Sequence, residues 1–430
     1  MMDVLILHYH LERGGVTRII ESQIRGIHLN DSGFPVKVLC GVSSRLPKIE
    51  NAVIVQDQRL NYTAESTPDQ YSKSSLIELV KLIRSFINPG TIVHAHNPNL
   101  GKNPLLSAAI FQLAMEGVNI LNHCHDFAED RPMNMKVLNE ALPLIMDEPV
   151  DRILYPDTPN YYFAVLNSCD YQRLSDKGIP VERIRLMPNP VDVKLNTENK
   201  AGLKKKICKK LSIPDSSLLC TYPVRPILRK NIGEFILMAT LYNTRADFVI
   251  TLAPLNPVEI PAYNRWKKFC RQHVPNMHFE AGVSVDFSDL VAASDFCINT
   301  SKREGFGMVY LEPWLLETPV IGRNISCVTS DLANQGIVFP RMYDEFRVPY
   351  KNSVIDFKDL PAEDQEHIII QTAMNPEFSR VLTELNPWLN EWLDPIPDEI
   401  INSNKLVIQQ KFSLNEYGHQ VLGIYSEISQ

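Results

Sequence analysis

Three stretches of the sequence combine glycines, cations and carboxylates in ways that suit a phosphate and a polyhydroxylated group. The richest is Thr300-Ser301-Lys302-Arg303-Glu304-Gly305-Phe306-Gly307-Met308-Val309-Tyr310-Leu311-Glu312, which follows the strand-like run Phe296–Asn299. Gly305 and Gly307 let the backbone turn sharply and approach a ligand closely. A helix read from Met308 would offer unpaired N–H groups to an anion, and carboxylates such as Glu304 and Glu312 accept hydrogen bonds from vicinal hydroxyls. Eight helical residues rise about 12 Å and return to roughly the same side, so the two carboxylates are expected to span a sugar and a ribose. The second stretch is Arg225-Pro226-Ile227-Leu228-Arg229-Lys230-Asn231, again between a strand and a helix. An Arg fork and a Lys point charge at the carboxyl end of a strand are placed for phosphate. The third is Gly14-Gly15-Val16-Thr17-Arg18, after the run Val4–Leu7 and His8-Tyr9-His10. It has neither a Gly-x-Gly-x-x-Gly spacing nor a Gly-Lys-Ser/Thr ending, which counts against dinucleotide binding and against a P-loop.

Histidine is concentrated in three His-x-His pairs, His8/His10, His94/His96 and His123/His125. Each pair follows or ends a strand-like run, and residues i and i+2 of a strand share a face, so a metal site is geometrically conceivable. No obvious set of carboxylate partners accompanies them.

Short apolar runs alternate with amphipathic stretches along the chain. Strands are expected at Val4–Leu7, Val36–Cys40, Ala52–Val55, Thr91–His94, Val118–Asn122, Phe163–Leu166 and Ile184–Met187, and then at Leu218–Tyr222, Phe248–Leu252, Met277–Glu280, Phe296–Asn299, Pro319–Ile321 and Ile337–Phe339. Helices are expected between them, among them Val16–His28, Ser74–Phe86, Pro104–Glu116, Met135–Ile145, Ile232–Tyr242, Ala262–His273, Phe287–Ala293 and Met308–Leu316. This alternation implies parallel, doubly wound sheets, with runs apolar enough for burial on both faces. Pro188-Asn189-Pro190-Val191-Asp192 and the polar segment Asn196–Lys200 break the pattern, which then restarts, so two similar α/β domains facing across a cleft are expected. Pro143, Pro149, Pro156 and Pro159 suggest a loop inserted over 143–160. Lys204, Lys205, Lys206, Lys209 and Lys210 read as the solvated face of a helix packed through Leu203, Ile207 and Leu211, in preference to a membrane-binding patch.

The bulk numbers agree. A chain of 430 residues is long for one core. Its net charge of -7 gives no broad attraction to nucleic acid. The eight cysteines are spread singly with no Cys-x-x-Cys pair, as core residues in a reducing compartment would be. No run approaches the ~18 apolar residues of a membrane span, and the N-terminal apolar run is too short for a signal peptide, so a cytoplasmic address is expected.

In this order and spacing the three stretches resemble the glycogen-synthase-like, sucrose-phosphate-synthase-like family of retaining GT-B glycosyltransferases. The resemblance rests on Gly14-Gly15, on Arg225 with Lys230 five residues on, and on Glu304 and Glu312 enclosing Gly305-Phe306-Gly307. Asn189 through Asp192 is similar to the family's inter-domain Asn-Gly-Val-Asp, with Pro190 in place of the Gly, and Asn231 stands where a Gly is common. The stretch from Phe412 to Tyr425 resembles the family's last helix, which returns to the first domain.

The resemblance implies two Rossmann-like domains. Residues 1–192 would bind the acceptor, joined by the C-terminal helix 412–430, and residues 193–411 would bind the donor. It implies transfer of a hexose, glucose or mannose, from a nucleotide sugar such as UDP-glucose or GDP-mannose to a small hydroxylated acceptor, with configuration retained and without a metal or other cofactor. Arg225 and Lys230 would stabilise the departing diphosphate, Glu304 would hold the transferred sugar, and Glu312 the ribose. Gly14, Gly15, Gly305, Phe306, Gly307 and Met308 would line the donor. His125 is the best match for the family's histidine beside the reacting sugar, with His123 the competing choice. Tyr62, Asn97, Asp126 and Arg131 are acceptor candidates, although Arg131 beside Glu129 and Asp130 also reads as a local ion pair. A soluble sugar or glycerate glycoside is the expected acceptor. No nucleic-acid or membrane partner is expected, and a homo-oligomer is left open. The alternatives are an epimerase or hydrolase on the same fold, a catalytically silent binding module, and a metal-dependent hydrolase built on the His-x-His pairs.

Overall fold

A computed structural model describes residues 2–44, 46, 49, 51–63, 71–193 and 198–430. The chain falls into two compact units, Met1–Pro190 with Lys411–Gln430, and Val191–Gln410. Part of the polar segment Asn196–Lys200 (residues 196 and 197) lies outside the described residues.

The first unit is built on β1 (Asp3–His8), β2 (Val36–Cys40), β3 (Ala52–Gln56), β4 (Thr91–His96), β5 (Ile120–Cys124), β6 (Tyr161–Val165) and β7 (Ile184–Leu186). All pair in parallel, in the order β3-β2-β1-β4-β5-β6-β7. Every residue of β1 is buried, and alternate side chains serve opposite faces. Leu5 and Leu7 pack with Leu79, Leu106 and Leu138. Val4 and Ile6 pack with Ile20 and Ile24 of the first helix, Gly15–Asn30, and with Val421 and Tyr425 of the C-terminal helix, Leu414–Ile428. These two helices cross where Gly26 meets Gly418. A Cβ on Gly26 would lie 2.6 Å from the Leu414 carbonyl oxygen, and one on Gly418 would run into the Gly26 carbonyl. Only hydrogen is tolerated at that contact.

The second unit repeats the plan with β8 (Leu218–Tyr222), β9 (Ala246–Ile250), β10 (Met277–His278), β11 (Phe296–Asn299), β12 (Val320–Arg323) and β13 (Met342–Tyr343). Its strands are also parallel, in the order β10-β9-β8-β11-β12-β13. The helix Lys200–Leu211 carries the lysine run. It buries Leu203, Ile207 and Cys208 and pairs Lys204 with Asp295 at 2.6 Å. An antiparallel hairpin, Arg347–Tyr350 with Ser353–Asp356, and helices Ala362–Met374, Pro376–Leu385 and Asp398–Lys411 complete the unit. No helix among the described residues is long and apolar enough to cross a membrane.

Four expectations change. The apolar triplet Ile337–Phe339 is not a strand. After Gly336 turns left-handed at φ +105°, the Ile337 N–H bonds back to the Leu332 carbonyl at 3.1 Å, so the buried Ile337 caps the helix Ser326–Asn334. The edge strand comes later, at β13. Residues 143–160 are not one continuous loop: the helix Pro132–Ile145 runs into them and a short helix, Val150–Leu154, follows, with irregular chain between and after. Pro143 sits in the last turn of the first of these, where the N–H it lacks would have reached the exposed Asn139. The helix expected over Met308–Leu316 is a 3-10 turn, Met308–Tyr310, and then a four-residue helix, Glu312–Leu315. Pro313 starts that helix, and its ring would clash with a helical turn running in from Val309. Glu304 and Glu312 therefore do not share one helical face.

Candidate active site

In open parallel sheets, ligands sit at the carboxyl ends of the strands where the strand order reverses direction. In the first unit that point lies between β1 and β4, and in the second between β8 and β11. Gly14-Gly15 follows β1, and His96 and Asn97 lie at the end of β4. Arg225–Lys230 follows β8, and Ser301–Gly307 follows β11. The topology alone thus carries the chemistry-bearing stretches to the switch points of their sheets.

In the second unit the two loops are stitched together. The Lys302 N–H donates to the Arg229 carbonyl at 2.8 Å, and the Thr300 hydroxyl lies 3.1 and 3.0 Å from the carbonyls of Lys230 and Asn231. The Tyr222 hydroxyl donates to the Lys230 carbonyl. Asn231 adopts the left-handed conformation, φ +56°, that lets the helix Ile232–Leu241 begin directly after the cations. The stitching brings Lys230 Nζ onto Glu304 Oε1 and Arg229 Nη1 to 3.0 Å from Glu304 Oε2. Burial pulls the Lys230 ammonium below its usual range, and Glu304 works against that shift. Burial also opposes the charge on Glu304, but Lys230 and Arg229 outweigh it and hold the carboxyl below its usual range. The result is a buried carboxylate with two cations on it.

Gly307 has φ +80°, and a Cβ there would meet Tyr310 and Val328 at 2.8 Å, so glycine is required. Phe306 and Glu312 are buried, while Gly305 and Met308 are half-buried. Arg225 is half-buried and donates to the Ala253 carbonyl after β9. Arg229 is a missed residue: it was visible in the sequence as a second cation beside Lys230, but its pairing with Glu304 depends on the β11 loop folding over it.

In the first unit, Gly14 caps the first helix with an extended backbone, and Gly15 opens onto empty space. Asn97, left-handed at φ +57°, accepts the His125 and Asp126 N–H groups on its side-chain oxygen at 2.7 and 3.1 Å. Its carboxamide thereby shapes the loop that presents His125. Both rings are buried, His125 at 9% exposure and His123 at 0%, so His125 lies the nearer of the two to the surface. Asp126 and Arg131 pair with each other at 3.0 Å on the surface, and Tyr62 is exposed, edge-on to His10.

Five imidazoles, His8, His94, His96, His123 and His125, come together at the ends of β1, β4 and β5. One nitrogen from each of His94, His96 and His123 lies within 4.8 Å of the others, a spacing that could hold a cation. The His94 and His96 rings are parallel within 6°, and ring-to-ring contacts occupy His94 Nε2 with His123 Nδ1 at 3.2 Å and His96 Nδ1 with His125 Nε2 at 2.9 Å. Burial lowers every one of these rings; His8, His94 and His125 fall to about 3.

Two doubly wound parallel sheets in one chain are the GT-B architecture, and solved structures similar to this chain carry it. Sucrose-phosphate synthase of Thermosynechococcus elongatus superposes with a TM-score of 0.60 over 100% of this chain and 99% of its own, at 12% identity. The Anabaena protein HepE in complex with UDP-glucose gives 0.62 over 99% and 100%, at 12% identity. By sequence, the mannosylglucosyl-3-phosphoglycerate synthase of Petrotoga mobilis is 24% identical over 414 residues, which is 90% of this chain and 79% of that protein. No family model matches the chain. The chain is thus similar along nearly its whole length to GT-B glycosyltransferases of the sucrose-phosphate-synthase-like type. These likenesses support a glycosyltransferase on the GT-B fold.

Proposed function

We propose that the protein is a retaining hexosyltransferase that moves glucose or mannose from a nucleotide diphosphate sugar to a hydroxyl of a small glycerate glycoside. The observation that carries this reading is the buried Glu304 with Lys230 and Arg229 at the carboxyl-end switch point of the second sheet. The Petrotoga relative supports the acceptor class through its name, which specifies a 3-phosphoglycerate glycoside as its product.

In this reading the second unit binds the donor and the first unit the acceptor. As the sugar–oxygen bond breaks, negative charge grows on the leaving diphosphate. Lys230, which has two further N–H groups, and Arg225 meet that charge, and such donors act more strongly on the transition state than on the ground state. Arg229 keeps Glu304 ionised and oriented toward the sugar hydroxyls, and Glu312 takes the ribose. Gly14 and the first turn of its helix offer N–H groups that suit an anion. The 3-10 turn after Gly307 is too short for a helix dipole, so the contribution there is limited to individual backbone amides. His125 orients the sugar. The leaving phosphate takes the acceptor's proton, so no protein base or metal is needed.

The test is a reaction with UDP-glucose and GDP-mannose against glucosylglycerate, glucosyl-3-phosphoglycerate and 3-phosphoglycerate, in the presence of a chelator, with the anomeric configuration of the product read by NMR. An α-linked product from an α-linked donor is expected. A β-linked product, or dependence on a divalent cation, would contradict the mechanism. Release of free hexose without acceptor would favour the hydrolase alternative.

A further inference from the structure

The imidazole array ends at His125, so its hydrogen bonds bear on how that ring meets substrate. The His96 and His125 rings lie within 9° of coplanar, with centroids 5.2 Å apart and Nδ1 to Nε2 at 2.9 Å. This is an in-plane N–H···N bond and not a face-to-face stack. Gln23, fully buried on the first helix, reaches the other side of His96, with Oε1 3.0 Å from His96 Nε2. The same carboxamide turns its nitrogen to His94 Nδ1 at 2.9 Å and donates to the Tyr425 hydroxyl of the C-terminal helix at 2.7 Å.

Protons can be followed along this chain. Each neutral imidazole has one N–H and one lone pair. A carboxamide oxygen only accepts, so His96 donates from Nε2. Its Nδ1 is then bare and accepts from His125 Nε2–H. His125 consequently carries its proton on Nε2 and keeps Nδ1 as an acceptor. If the carboxamide turned end for end, every step would reverse and His125 would become a donor at Nδ1. The Tyr425 hydroxyl also lies 2.7 Å from His94 Nδ1; with its own proton on that ring it can only accept, and it takes the amide N–H on the far side.

We propose that Gln23, anchored by Tyr425, is a positioning residue that sets the tautomer of His125 through His96, so that His125 presents Nδ1 as a hydrogen-bond acceptor to a hydroxyl of the transferred sugar. The catalytic part of this inference rests on the transferase reading above; the tautomer part does not. Two residues that never touch substrate thereby fix the polarity of the one that does.

The experiment uses the full chain with 15N-labelled histidine. Ring-nitrogen shifts report the tautomer of each residue, and His125→Gln identifies the His125 signals. Wild type is expected to show His125 as Nε2–H with a bare Nδ1. Gln23→Met removes the acceptor from His96, and a buried N–H without a partner is more costly than a bare lone pair. In that variant His96 is expected to move its proton to Nδ1 and push His125 to Nδ1–H, with kcat falling about tenfold, the scale of one lost hydrogen bond of ~1.4 kcal/mol, and donor KM little changed. Tyr425→Phe, a milder change, is expected to give a mixture of tautomers and an intermediate kcat. Should Gln23→Met fold poorly, the wild-type spectrum and Tyr425→Phe still decide. Finding Nδ1–H on His125 in wild type, or the same tautomer in all three proteins, would overturn the proposal. Tautomers that shift as expected in a protein that transfers no sugar would leave Gln23 as the tautomer-setting residue and sink only the transferase reading.

Discussion

At the residue scale the account turns on a buried carboxylate that two cations keep ionised. Lys230 and Glu304 are buried together, and removing one partner of such a pair leaves the other charged in a low-dielectric site. Lys230→Ala is therefore expected to cut kcat by at least 10²-fold, and Arg225→Ala similarly, the scale seen when a charge-stabilising donor is removed. Arg229 acts through Glu304, so Arg229→Ala should reduce kcat less than Lys230→Ala does, with steady-state kinetics on the identified donor as the measure. Near-wild-type turnover in Lys230→Ala would remove the phosphate-binding role. The residue types were readable in the sequence, since Arg225, Lys230, Glu304 and Gly307 stand out by chemistry and spacing. Their geometry was not. The Lys230–Glu304 contact spans residues far apart in the chain and exists because the β8 and β11 loops share backbone hydrogen bonds. The roles of Asn97 and Gln23 were equally hidden: each acts through a long-range bond that no local pattern announces.

At the element scale, periodicity located nearly all the core strands, because runs such as Val4–Leu7 and Cys297–Ile298 are apolar on both faces. It failed where a local backbone rule overrode hydrophobicity. Ile337 reads as a strand residue but closes a helix cap, and Pro313 splits the helix expected over Met308–Leu316. The stretch from the hairpin at Arg347 to the helix ending at Lys411 carries no motif. The two glycines at the helix crossing were likewise silent, because a lone glycine in a helix signals nothing until its neighbour is known. Gly418→Ala would drive a methyl group into the Gly26 carbonyl. Overpacking of this kind costs about 1–3 kcal/mol, so the melting temperature of the unit should fall by several degrees. Thermal denaturation followed by circular dichroism is the check, and Gly423→Ala on the same helix, where a Cβ meets nothing within 4 Å, is the control that should change little.

At the scale of the whole molecule, the buried imidazoles link stability to pH. Folded, His8, His94 and His125 stay neutral down to about pH 3, and His96 and His123 are also held well below their usual range by burial. Unfolded, each would take up a proton near pH 6.5. The unfolded chain then binds more protons than the folded one, so stability is complete above pH 6.5 and is lost as the pH falls toward 3. The slope approaches ~1.4 kcal/mol per pH unit for each histidine fully involved. Between pH 6.5 and 5.5, above the range of the carboxylates, the melting temperature should drop clearly, whereas between pH 7 and 8 the imidazoles should contribute no slope. A flat profile from pH 7.5 to 5.5 would show that the array is not held neutral.

The same whole-molecule view sets the most direct test of the central claim, that this chain transfers a hexose from a nucleotide sugar. UDP-glucose, GDP-mannose, ADP-glucose and UDP-N-acetylglucosamine would each be scanned for thermal stabilisation, and nucleotide diphosphate release would then be followed with and without glycerate glycosides. The account predicts that one donor raises the melting temperature and releases its nucleotide only when an acceptor is present, and that Lys230→Ala abolishes the release. Absence of stabilisation by every nucleotide and nucleotide sugar would contradict it.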